Sequence, residues 1–109
     1  MNPEALVRPE LDTGVPHGAV LLAYADAVIG TELDALDKAR TAVAEALGPE
    51  AVSGVAAVAA NFSKNDRVAN GIGIPIDDMV FKGTGDLREQ LGLNAYKSAE
   101  NTFRHMTSD

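Results

Sequence analysis

Apolar residues recur every three or four positions through much of the chain, the period of helices that bury one face. From Gly18, the residues Leu21, Leu22, Ala25, Val28 and Ile29 keep this spacing until Gly30, which suits a C-terminal cap. The stretch "TELDALDKARTAVAEALG" follows, with Leu33, Leu36, Arg40, Val43 and Leu47 three or four apart. Thr31 stands where a hydroxyl caps a helix, Glu32 and Asp34 suit the positive end of its dipole, and Gly48 stops it. Pro49 suits a first helical position, and "PEAVSGVAAVAANFSKNDRVANG" predicts a long helix with no further breaker before Gly71, Gly73 and Pro75. Residues 76–86, "IDDMVFKGTGD", are short and irregular, compatible with strand or coil. Asp86 to Leu91 predicts a short helix closed by Gly92, and Tyr96, Ala99, Phe103 and Met106 return to helical spacing. The sum is an all-α helical bundle of four to five helices. Residues 1–16 hold Pro3, Pro9, Gly14 and Pro16, so they are expected to form an extended leader to one helical domain over 17–109.

A helical wheel of the long helix, at about 100° per residue, places Ala51, Val55, Val58, Phe62 and Ala69 within about 40° of one direction, flanked by Val52 and Ala59. Asn65 and Asp66 fall on the same stripe, while Arg67 points off it. If the stripe faces a core, both polar groups need partners or cost about 1–3 kcal/mol each. Asn65, Asp66, Arg67 and Asn70 therefore stand as a candidate constellation at the end of the helix, as pocket lining or as packing polar groups. A pocket formed at an oligomer interface near Phe62, Asn65 and Tyr96 would make the chain a small-molecule binding module.

The composition limits what these elements can do. Length allows one domain with its own core, yet three Phe, two Tyr and no Trp leave that core to small side chains, so a covering partner subunit is plausible. Sixteen acidic against nine basic residues give a net charge of -7, with no basic cluster, which disfavours nucleic acid and anionic membrane. The apolar runs fall well short of the roughly 20 residues of a membrane span, and the N-terminus lacks a signal layout, so a cytoplasmic location is the default expectation. There is no cysteine, which removes disulfides, thiolate metal sites and thiol catalysis from this polypeptide.

Other candidate chemistry is weaker. The glycine pairs Gly71/Gly73 and Gly83/Gly85 do not complete a phosphate-binding spacing and suit helix stops and turns. His17 and His105 stand far apart without acidic or histidine partners at ligand spacing, and Asp77 with Asp78 lacks the alternating ligands of a calcium loop. Neither a metal nor a cofactor is expected. Asp34, Asp37 and Arg40 form a polar series in which Asp37 can pair with Arg40 or Thr41 on the surface.

"LLAYADAVIG", the amphipathic helix after it, and "LGPEAVSGVAAVAANFSKNDRVANGIGIPID" together resemble the C-terminal half of alkylhydroperoxidase-like proteins of the carboxymuconolactone decarboxylase superfamily. The residues that carry the resemblance are Leu22, Tyr24, Ala25, Phe62, Asn65, Arg67, Ala69 and Gly73, and it covers about residues 18–78. Asp66 stands where an asparagine is more usual. The resemblance implies an all-helical, oligomer-forming fold and, in peroxidase members, a cysteine pair that attacks hydroperoxides with a glutamate and histidine relaying protons. Those elements lie in the family's N-terminal half, so no catalytic residue carries over to this chain. The implied function is a catalytically incomplete alkylhydroperoxidase-like protein acting as an oligomerising or regulatory subunit, a homo-oligomer of at least two copies. The alternatives are a peroxidase subunit completed by a thiol-bearing helical partner, or the binding module described above.

Overall fold

In the computed structural model, which describes residues 1–106, every regular element is helical; no strand occurs among the described residues. The α-helices are α1 (Gly18–Ile29), α2 (Leu33–Leu47), α3 (Ala51–Ile72), α4 (Asp78–Gly83), α5 (Gly85–Gln90) and α6 (Glu100–Phe103). Short 3-10 turns occupy Pro3–Leu6, Leu93–Ala95 and Lys97–Ala99. The chain packs as two compact units, Met1–Lys64 and Asn65–Asp109. The expected domain over 17–109 runs three residues past the described ones.

In the first unit, α1 and α2 pack against each other around Tyr24, Ala39 and Val43, the last fully buried. Val20, Ala27, Val28, Leu36 and Leu47 complete that layer, and Ala51, Val52, Val55 and Ala56 from the start of α3 close it. The first helix matches its expected span, with Gly30 donating its N–H to the Asp26 and Ala27 carbonyls. The second starts at Leu33 with Glu32 as its cap, so Thr31 does not cap it: the extended backbone at Glu32 lets its carbonyl accept the Leu36 N–H at 3.2 Å. Gly48 ends α2 at φ 96°, a conformation that glycine adopts without strain. Pro49 lies in the turn before α3, where Val52 donates to the Pro49 carbonyl at 3.3 Å.

The N-terminal residues contain a 3-10 turn capped by Asn2, whose side chain accepts from Glu4 N, and whose own N–H donates to the Thr13 carbonyl at 2.8 Å. Thr13 is buried and sits so close to Gly18 that a Cβ on Gly18 would lie 1.9 Å from its hydroxyl oxygen. Arg8 pairs with Glu4 and Glu10, each at 3.0 Å; the hydrogen bond to Glu4 is the main reason its guanidinium is held above its ordinary value. On α2, Arg40 pairs with Asp37 and the Thr41 hydroxyl donates to the Asp37 carbonyl at 3.0 Å.

The second unit is held by side chains of a different kind. Asp77 caps α4 by accepting from Met79 N at 2.9 Å. Arg88 on α5 is 9% exposed, and its guanidinium lies 3.7 Å from the Phe81 ring centroid. Its nitrogens donate to the Thr84 hydroxyl at 3.2 Å, the Asn94 side-chain oxygen at 2.6 Å and the Phe81 carbonyl at 2.8 Å. Phe81 in turn meets Phe103 edge-to-face at 6.0 Å. The continuous helix suggested by the spacing of residues 96–106 is interrupted: Tyr96 is extended at φ -70° and ψ 143°, between two 3-10 turns, and the α-helical part is only α6.

Candidate functional site

The polar constellation at the end of α3 lies on the surface. Phe62 is 64% exposed, and Asn65, Asp66, Arg67 and Asn70 are all exposed. The wheel groups Phe62, Asn65 and Asp66 on one stripe, but a stripe defines a direction and not what covers it. The side of α3 that meets the core runs through Ala51, Val52, Val55 and Ala56. Val58 and Phe62, expected on the core-facing stripe, stay exposed, as do Val68 and Ile72 further along the helix. Asn65 and Asp66 therefore carry no desolvation cost of the kind a buried setting would impose.

Asn70 does meet other polar groups. Together with Tyr96, Lys97, Ser98, Glu100, Asn101 and Arg104 it lines a groove of about 580 Å³ in the second unit. Of the three residues expected around a pocket, Tyr96 lines this groove, and Phe62 and Asn65 are not among its walls. The extended backbone at Tyr96 turns the chain between the two 3-10 turns, and α6 then carries Glu100 and Asn101, with Arg104 as its C-cap. Arg104 is anchored there: Nε donates to the Glu100 carbonyl at 3.2 Å and Nη2 to the Asn101 side-chain oxygen at 3.3 Å. Thr102, between them in sequence, is buried, and its hydroxyl oxygen accepts the Ile76 N–H at 2.8 Å. That bond fastens α6 to the segment following α3.

Lys97, Asn101 and Arg104 were not legible as site residues, because the apolar spacing of Tyr96, Ala99 and Phe103 reads as one amphipathic helix whose polar face is merely solvated. The local excess of donors in "YKSAEN" was the available signal.

Elsewhere the chemistry is sparse. Among the described residues no three histidines or carboxylates gather as a metal site. His17, Asp77, Asp78 and His105 are exposed. A pocket of about 130 Å³ in the first unit, walled by residues such as Leu6, Val15 and Leu22, is almost wholly apolar. No helix among the described residues is long and apolar enough to cross a membrane. No family model matches the chain, and no curated protein or solved structure matches it either.

Proposed function

We propose that this chain is a non-catalytic, cytoplasmic helical subunit of the alkylhydroperoxidase-like kind, whose role is to self-associate through α3 and thereby to build or regulate an assembly. The observation that carries this reading is the uncovered stretch of α3, where Val58 is 59% and Phe62 64% exposed while Ala51, Val52, Val55 and Ala56, at the start of the same helix, pack on the core. Val58, Phe62, Asn65, Ala69 and Ile72 alternate at spacings of four and three, the seam of helices that pair with helices. A second copy is the natural occupant, since a twofold axis brings the same apolar seam against itself and sets the one polar seam residue, Asn65, to fix the register.

Light scattering at micromolar concentration tests the reading: at least a dimer is expected, and Phe62→Glu is expected to lower the mass to that of one chain with helical circular dichroism retained. A monomeric wild-type chain sinks it. With no cysteine among the 109 residues, the chain alone is expected to consume no hydroperoxide. Peroxide turnover on adding a thiol-bearing helical partner would favour the completed-enzyme alternative.

A further inference from the structure

We propose that the groove beside Tyr96 binds a small aromatic oxyanion, an aryl phosphate or aryl carboxylate, with the anion at Lys97 and Asn101 and the ring along Tyr96. The charge distribution is the first ground. Met1–Lys64 contains nine acidic and four basic residues, whereas Asn65–Asp109 contains seven acidic and five basic, so an anion meets less repulsion in the second unit.

The groove itself is the second ground. Its walls offer an ammonium, a guanidinium, two hydroxyls and two amides, against a single carboxylate at Glu100. Lys97 has no ion-pair partner among the described residues, which leaves its ammonium for a ligand. Asn101 accepts from Arg104 through its oxygen, which leaves its amide nitrogen as a further donor. Tyr96 is 61% exposed, a flat apolar wall with a polar tip, suited to a ring that carries its charge at one end. The inference does not depend on self-association through α3.

Titration of the ¹⁵N-labelled chain with phenyl phosphate, benzoate and phenol in low salt tests it by amide chemical shifts. Saturable shifts confined to Asn70 and residues 96–104 are expected with the two anions and not with phenol, and the tighter anion identifies the ligand class. Lys97→Met is expected to weaken binding about tenfold with the spectrum otherwise unchanged. Phe62→Glu should leave the affinity as it was. Shifts that fail to saturate, that spread over the surface, that phenol reproduces, or that persist undiminished in Lys97→Met overturn the proposal.

Discussion

Arg88 and Asn65 are both polar residues set among apolar ones, and burial separates them. Arg88 lies inside the second unit with three neutral acceptors and an aromatic face around its guanidinium. Arg88→Met keeps the aliphatic stem but strips Asn94 and the Phe81 carbonyl of their donor, an expected loss of about 2 kcal/mol, read as faster hydrogen exchange across residues 78–104. Asn65 is exposed, so Asn65→Ala should change the unfolding free energy by no more than about 0.5 kcal/mol while perturbing the mass distribution of any assembly. An urea melt of the diluted chain checks the first half of that expectation, and sedimentation the second.

Helix by helix, legibility in the sequence follows from what stabilises each element. α1 and α2 were legible because Leu, Val and Ala at helical spacing are bounded by Gly30 and Gly48, and those same residues make the core. The inward face of α3 was legible only in its first two turns: beyond Val55 the wheel groups Val58 with Phe62 correctly but cannot say that the other described residues leave them exposed. Residues 78–106 were hardest to read, because α4, α5 and α6 have six, six and four residues, too short to persist on propensity alone. They are held by distant side chains, Arg88 reaching Asn94 and Thr102 reaching Ile76, which no periodicity encodes. Thr102→Val preserves the shape and deletes the acceptor; it should cost about 1 kcal/mol and accelerate exchange of the Ile76 amide well before those of α1 or α2.

For the molecule as a whole, the buried hydrophobic residues among those described are few and mostly small: Ala5, Tyr24, Ala39, Val43 and Leu91. At about 25 cal/mol per Å² such a core stabilises modestly, so the proposed self-association through α3 would add a large part of the stability. The midpoint of thermal unfolding is therefore expected to rise with protein concentration in the wild-type chain and to stop doing so in Phe62→Glu. A concentration-independent midpoint would count against assembly through α3. The clasp around Arg88 adds a property of its own. Its acceptors, a threonine hydroxyl, an asparagine amide oxygen and a backbone carbonyl, are all neutral, and a phenyl ring forms its remaining wall. Added salt thus loosens the exposed pairs of Arg8 and Arg40, while a clasp with no carboxylate in it holds without the kind of attraction that dissolved ions screen.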